Sequence, residues 1–420
     1  MIDIKKECRI CHSSELTQFH SFGEMPIVNA YLKKQDLEKP EYKYPLAVGF
    51  CRDCKMVQLM IMPPYDTYII PDENGKTHYS YVSSTSQRMV QHFNELAKEV
   101  ERRFLDNSSK VVDIGGNDGI LLKTYKKREN VLNIEPSDNV ADVARASGIE
   151  SVSDFFSEGL ARRLVKEKGK FKVIHTNNVF LNIANMDDFL KGINHMLEDK
   201  GVFISEDPYL LDILSNKAYD QIYEAHGCFF SISSLSRLFE KHNMEIFDAE
   251  HQWVHGGSMR IYVSKKGRYD ITGRPLGYLE REKERGIESL ESFLDFSNDI
   301  RENRGEMRGL LKGLKMAGKR LVGYGAAAKG VMVQNYCKIG PDILDYISDS
   351  TPEKQGMFTP GMHIPIVHPD IFHEDKEVDY AVLFPWNHAR EIIEKERDFF
   401  KRGGKFIVHL PHPRILELED

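Results

Sequence analysis

The chain of 420 residues has no apolar run approaching about 18 residues, so the sequence offers no membrane-spanning helix. Its opening stretch, Met1-Ile2-Asp3-Ile4-Lys5-Lys6, lacks the apolar core of a secretory leader, and a cytoplasmic location is expected. No basic block stands out. Lys+Arg total 57 against Asp+Glu 64, a net charge of -7, which excludes an electrostatic footprint for nucleic acid but leaves room for a local diphosphate pocket. Short-period repeats are absent as well. Cysteine is scarce: of six, four stand as two Cys-x-x-Cys pairs and only Cys228 and Cys337 are isolated, a usage that suits a reducing compartment and a metal better than a disulfide framework. Length excludes a single compact core and implies two or three domains.

The stretch Val111-Val112-Asp113-Ile114-Gly115-Gly116-Asn117-Asp118-Gly119 reads as a buried strand running into a glycine-rich turn, with a helix N-terminus expected at Ile120-Leu121-Leu122. A dinucleotide fingerprint would need a glycine at Asn117. The stretch therefore fits the S-adenosylmethionine loop of class I methyltransferases better, an ordinary strand-to-helix turn being the other reading. Alternating strand and helix signals follow, typical of a doubly wound α/β sheet. Glu135 ends the second strand, where an acid accepts hydrogen bonds from ribose hydroxyls. Asp154, followed by Phe155, is placed to meet an adenine amino group, and Asn178 lies at a strand end, where open α/β sheets bind ligands. Each of these, taken alone, serves equally well as a cap or turn residue.

The pairs Cys8-Arg9-Ile10-Cys11 and Cys51-Arg52-Asp53-Cys54 give the four thiolates of a closed, tetrahedral structural zinc site. Between them, Phe19 to Tyr44 is rich in turns, and metal is expected to replace a full core there. A helix from Gln87 to roughly Arg103 follows a run of hydroxyls that includes Tyr79 and Tyr81. Tyr223 and His226 share one face if helical and could supply a phenol donor and an imidazole base, although each alone is more often a half-buried structural side chain. The charged stretch from Tyr278 to about Ala317 reads as a solvated helical connection. Beyond it the α/β pattern restarts with Gly323-Tyr324-Gly325-Ala326-Ala327-Ala328-Lys329-Gly330, which does match a dinucleotide motif, with Asp349 ending the next strand.

Together these stretches resemble the sugar C-methyltransferase family, enzymes that methylate a ring carbon of a nucleotide-linked 4-keto sugar. The resemblance covers essentially the whole chain. It rests on the paired cysteines with Met56-Val57-Gln58-Leu59, on Tyr79-Ser80-Tyr81-Val82-Ser83-Ser84-Thr85-Ser86, and on the Asp113 to Gly119 loop. Ile134-Glu135-Pro136-Ser137, Gly256-Gly257-Ser258-Met259-Arg260, the Gly323 to Gly330 loop, Lys354-Gln355-Gly356, Pro360 to Ile366 and Pro385-Trp386-Asn387 match as well. The resemblance implies a zinc module over 1–75 and a class I methyltransferase-like domain over 76–268. A helical connection over 269–317 then leads to a Rossmann-like domain over 318–420 that helps hold the substrate.

It further implies that S-adenosylmethionine meets Asp113, Gly115, Gly116, Asn117, Asp118, Gly119, Glu135, Pro136, Ser137, Asp154, Phe155 and Asn178. The substrate would lie against Tyr81, His255, Ser258, Arg260, Lys329, Trp386 and Asn387. Chemistry would fall to His226 as base and Tyr223 as donor to an enolate oxygen, with Tyr79 orienting the sugar. The sequence departs from the family pattern twice. Tyr-His-Glu-His has become Tyr223-Glu224-Ala225-His226, and the His of Asn-Val-Leu-Ala-His has become Asn182. Glu224 could substitute for the lost Glu only from a position turned by about 100° in a helix. Diverted or lost methyl transfer, and an NAD enzyme using the Gly323 loop, are the competing readings. A monomer or weak dimer is expected, with a small-molecule partner and neither nucleic acid nor membrane.

Overall fold

The computed structural model describes residues 7–63, 70–71, 77–79 and 82–418. Its centre is a seven-stranded sheet. In spatial order the strands are Met244–Gln252, Ser258–Lys265, Leu197–Pro208, Phe171–Asn177, Val111–Ile114, Val131–Ile134 and Ser151–Val152. The last five run parallel, whereas Ser258–Lys265 is antiparallel to both of its neighbours. Two of the parallel strands, Val111–Ile114 and Val131–Ile134, read Val-Val-Asp-Ile and Val-Leu-Asn-Ile and are buried at every position, as expected for strands covered on both faces. Helix Gln87–Phe104 packs on one face through Phe93, Leu96, Ala97 and Val100, and the Ser86 hydroxyl caps its first turn by accepting from the Met89 amide. This is a class I methyltransferase-like doubly wound sheet.

A second unit is a six-stranded sheet, parallel except for its edge strand Arg414–Ile415, in the order Ile366–Val367, Ile347–Ser348, Leu321–Tyr324, Tyr380–Leu383, Lys405–Val408, Arg414–Ile415. The third sheet is antiparallel: Leu16–Pro26, Lys43–Cys51 and Val57–Leu59, completed by Cys228–Phe229 from far along the chain.

Several expectations need correction. Between the cysteine pairs, residues 27–42 are turns and a short 3-10 helix as expected, but the stretch before them is a long strand. Leu16–Pro26 pairs along Lys43–Cys51, and Phe19, Phe22, Met25, Ile27 and Val28 join one continuous core with Phe293, Ile300, Met307 and Val331. Metal supplements that core and does not replace it. The charged stretch is two helices, Gly273–Glu284 and Leu290–Met316. The second buries Phe293, Phe296, Ile300, Met307 and Leu311, a stripe diluted in sequence by the charges between. Even within the most charged run, Glu282 is buried, accepting from the Tyr209 hydroxyl at 2.7 Å and from the amides of Ile232 and Ser233 at 2.6 and 2.9 Å. It caps helix Ile232–Lys241, where a carboxylate is favoured by the unpaired amides and the helix dipole. No α-helix begins at Ile120-Leu121-Leu122 either. The chain turns, enters the short 3-10 segment Leu122–Thr124, and stops where the Thr124 hydroxyl bonds the Leu121 carbonyl at 2.6 Å.

Candidate functional site

The loop after Val111–Ile114 is shaped by close approach. Gly115 and Gly119 have φ of 70° and 77°, in the region that favours glycine, and a Cβ on Gly116 would stand 2.4 Å from Asn133 Oδ1 and 2.8 Å from Asp113 Oδ2. Asn117 adopts φ 51° and holds the Ser83 amide through its side-chain oxygen at 3.0 Å. Glu135 is buried, with one carboxylate oxygen accepting from the Asn117 amide at 3.0 Å and the other from the Ser137 amide at 2.9 Å. It thereby ties the glycine loop to the next strand end. Pro136 presents its carbonyl to the Thr77 hydroxyl at 2.7 Å. Asp113 is buried, and burial, with the Glu135 charge next, pushes its carboxyl up to about 7.

Register places Asp113 beside Asn133 and His175, and Thr176 beside Ile114. Among the described residues, Asn133 Oδ1 and Thr176 Oγ1 are buried without a hydrogen-bond partner, and beside them the buried Asp113 carboxyl faces the Asn177 amide. Buried polar atoms are nearly always satisfied, so a row of them at the carboxyl ends of adjacent strands marks where a polar ligand belongs. The charge argues for its kind. Glu135 occupies a loop amide where a pyrophosphate would need a donor, which repels a dinucleotide and suits a sulfonium ligand that carries no phosphate. Asn178 has φ 56° at the strand end, whereas Asp154 and Phe155 are exposed, Asp154 lying 3.6 Å from Arg163. Asp118 is buried, 3.7 Å from Lys123.

The four paired cysteines converge. Cys8 and Cys54 sulfurs are 3.5 Å apart, as are Cys11 and Cys51, and all four lie within 4.8 Å of one another. A zinc ion with bonds of about 2.3 Å needs sulfurs near this separation. Each pair ends in the same knuckle. His12 and Lys55 follow with φ of 61° and 64°, each amide returning to the carbonyl of the pair's first cysteine at 2.9 Å. With four ligands the site is closed and structural.

The catalytic candidates gather where the 219–226 segment meets the last unit, to which Asp220 is bonded through Trp386 and His409. Residues 223–226 form a turn, not a helix, with the His226 amide bonded to the Tyr223 carbonyl at 2.9 Å and the two rings 4.1 Å apart. His226 Nδ1 donates to the Gln221 carbonyl at 2.7 Å, which leaves Nε2 as the acceptor, and burial holds the ring's pKa down at about 3. Burial also raises the Tyr223 phenol, with Tyr79, Glu224, Asp220 and Tyr31 contributing in that order. The backbone of Tyr79 is clamped by the Asn139 amide group through two hydrogen bonds of 2.9 Å. Tyr81 lies outside the described residues. Lys329, buried at the start of helix Ala328–Cys337, donates to the His255 carbonyl at 3.2 Å and sits 5.5 Å from the centre of the Trp386 ring. His255 has φ 58°, and burial, then the Lys329 charge, drives its pKa to about 3. Asn387 is half-buried beside Trp386.

Other expected residues point elsewhere. Glu224 is buried away from the base, accepting from the Val28 amide and the Tyr44 hydroxyl, both at 3.0 Å, so it does not replace the missing Glu. Arg260 is buried in an ion pair with Glu206 at 2.7 Å, which His92 completes at 2.6 Å, and is not available to a substrate. Ser258 closes its own turn on the Val254 carbonyl at 3.0 Å. Asn182 Nδ2 donates to the Asn178 carbonyl at 3.5 Å, while its Oδ1 is buried without a partner among the described residues. Tyr31, Asp220 and Lys354 were not singled out as site residues from the sequence, since each is a single polar residue brought in from a different unit. Lys354 does lie in one of the matching motifs.

In the last unit the Gly323 loop is filled from within. Asp349 accepts from the Ala326 amide at 2.6 Å, and the Ala326 carbonyl takes the Tyr31 hydroxyl at 2.6 Å and the Lys354 ammonium at 2.8 Å. A carboxylate on the loop amide stands where a dinucleotide's phosphates would bind.

Comparison with known proteins agrees with this layout. Residues 8–68 match a zinc binding domain, 88–249 a methyltransferase domain, and 253–411 the C-methyltransferase C-terminal domain. The C-methyltransferase NovU of Streptomyces niveus is 31% identical over 416 residues, covering 98% of this chain and 97% of that protein. Among solved structures, the plantazolicin methyltransferase BpumL in complex with SAH is 11% identical with a TM-score of 0.32, over 41% of this chain and 82% of that one. The ribosomal protein L11 methylase of Lactobacillus delbrueckii subsp. bulgaricus is 17% identical with a TM-score of 0.31, over 43% and 80%.

Proposed function

The chain belongs to the C-methyltransferase family and is an S-adenosylmethionine-dependent enzyme with a structural zinc site; from this premise we propose that it methylates a ring carbon of a nucleotide-linked 4-keto sugar through an enolate. The observation that carries the reading is the His226–Tyr223 pair, its imidazole fixed with Nε2 as acceptor, beside the buried cation Lys329. A 4-keto group acidifies the neighbouring C3 proton. His226 Nε2 takes that proton, and the Gln221 carbonyl and the charge of Asp220 support the imidazolium that forms. The Tyr223 hydroxyl donates to the developing enolate oxygen, where a preorganised donor stabilises the transition state most. Tyr79 and Tyr81 orient the sugar, and Lys329 with Trp386 meets the anionic end of the substrate. When bound along Asp113 to Gly119 and Glu135, S-adenosylmethionine supplies an electrophilic methyl group. A cytoplasmic monomer or weak dimer with this small-molecule substrate is the accompanying reading.

The departures at Asn182 and Ala225 favour a second reading, in which the site abstracts the proton but methyl transfer is diverted. One experiment separates the two. With a 4-keto-6-deoxysugar nucleotide in heavy water, the enzyme is expected to exchange the C3 proton, and with S-adenosylmethionine added, to give a product heavier by one methyl group by mass spectrometry. Exchange without methylation supports the second reading, and neither exchange nor methylation on UDP- or dTDP-linked sugars refutes the first.

A further inference from the structure

Asp220 has no place among the residues that touch the reacting atoms, yet it is fully buried and joins separate parts of the molecule. It sits in the turn Tyr219–Gln221, directly before the Tyr223 to His226 loop. Its Oδ2 accepts from Trp386 Nε1 at 2.7 Å and from His409 Nε2 at 3.0 Å, both from the last unit, while Oδ1 has no hydrogen-bond partner among the described residues. Burial pushes this carboxyl up, but the His409 hydrogen bond and charge, then Lys329 and Trp386, outweigh it and hold it below the ordinary carboxylate range. Lys329 follows the indole, its ammonium 5.5 Å from the centre of the Trp386 ring and bonded to the His255 carbonyl at 3.2 Å. Burial lowers its ammonium and the Asp220 charge opposes that loss. The far edge of the Trp386 ring is also fixed, because a Cβ on Gly256 would stand 2.7 Å from Trp386 Cη2. The indole is therefore pinned by its N–H at one end and by the 254–256 turn at the other, leaving it half-buried against the cleft.

We propose that Asp220 is a positioning residue whose carboxylate holds Trp386 and Lys329 in register with Tyr223 and His226, so that a nucleotide-sugar's anionic end is gripped only where its sugar meets the base. This rests on the nucleotide-sugar reading of the cleft. A carboxylate is needed because it accepts two N–H donors on one oxygen and neutralises a buried ammonium. Asparagine would keep an acceptor and remove the charge. Removing the charge from both hydrogen bonds weakens the grip by about tenfold.

The chain has two tryptophans, Trp253 and Trp386, so Trp253→Phe leaves Trp386 as the sole indole reporter. In that background Asp220→Asn is expected to shift Trp386 emission in the ligand-free enzyme. It should also weaken UDP or dTDP binding, measured calorimetrically, by about tenfold or more while S-adenosylhomocysteine affinity holds. Trp386→Phe, which removes the indole donor, should weaken the same nucleotides, and the double variant should lose no more than the larger single loss. Unshifted emission with unchanged nucleotide affinity overturns the proposal, as do fully additive losses. A parent that binds neither UDP nor dTDP refutes the nucleotide-sugar reading. Emission alone then decides Asp220, a shift upholding its hold on Trp386 and its absence overturning it. Should Asp220→Asn fail to fold, Trp386→Phe decides, with a tenfold loss of nucleotide affinity supporting the proposal and unchanged affinity overturning it.

Discussion

His226 combines two properties that pull apart in free imidazole. Its Nδ1–H is committed to the Gln221 carbonyl, which selects the tautomer, and burial keeps the ring neutral down to about pH 3. The ligand-free enzyme therefore carries the acceptor form throughout the neutral range. The pH profile of kcat/KM, which reports free-enzyme groups, is expected to show no loss of activity near 6.5 from this residue. His226→Ala should lower turnover by about 10²- to 10⁴-fold with S-adenosylhomocysteine affinity unchanged by calorimetry. Near-parental turnover would remove His226 from the chemistry. The pair could be picked out in the sequence because residues three positions apart share a face if helical, and the structure brings the two rings together by a turn instead. It could not reveal the direction of Glu224, whose carboxylate is claimed by Val28 and Tyr44 of another unit. That partnership is invisible along the chain, as is the Arg260 pair with Glu206.

At the level of elements, the strand Val111–Ile114 and its glycine turn were legible because local conformation and close approach are written in residue type. Gly116 faces Asn133 and Asp113 too closely for any side chain. Gly116→Ala is expected to force these groups apart and weaken S-adenosylmethionine binding by at least tenfold, with the far-UV circular dichroism of the sheet retained. Parental affinity would show that the loop does not need the approach. Helix Leu290–Met316 was the least legible element. Its apolar stripe is interrupted by charges, so only the packing of Phe293, Ile300 and Met307 against Leu16–Pro26 and Ala328–Cys337 shows that it is core. A connection by composition became a central pillar by contact.

For the whole molecule, charge burial sets the pH window of stability. Burial holds His20 at about 4 and His175, His226 and His255 at about 3. Their stabilisation is present above the unfolded value of about 6.5 and is lost as pH falls through their folded values. Burial raises Asp113, Asp207 and Glu224 to about 7, so their contribution is present below about 4 and is lost as pH rises towards 7. The slopes oppose between these limits and only the histidine slope survives below. The urea midpoint is therefore expected to vary little from pH 5 to 8 and to fall steeply below about pH 4. A midpoint that rises on acidification below pH 4 would contradict this assignment.

Zinc acts at the same scale. Elemental analysis should find one zinc per chain, and Cys51→Ser should lower the thermal midpoint and release the metal, whereas unchanged zinc content would exclude Cys51 as a ligand. The Cys-x-x-Cys pairs made the metal legible at once. What they could not show was that Val57–Leu59 has its second neighbour in Cys228–Phe229, whose first residue lies two past His226. Because that edge strand belongs to the second half of the chain, the amino-terminal sheet lacks its fourth strand until the 223–226 turn has been made. Pairing of that strand therefore ties the 223–226 turn, just upstream of it, to the sheet that carries Cys51 of the zinc site.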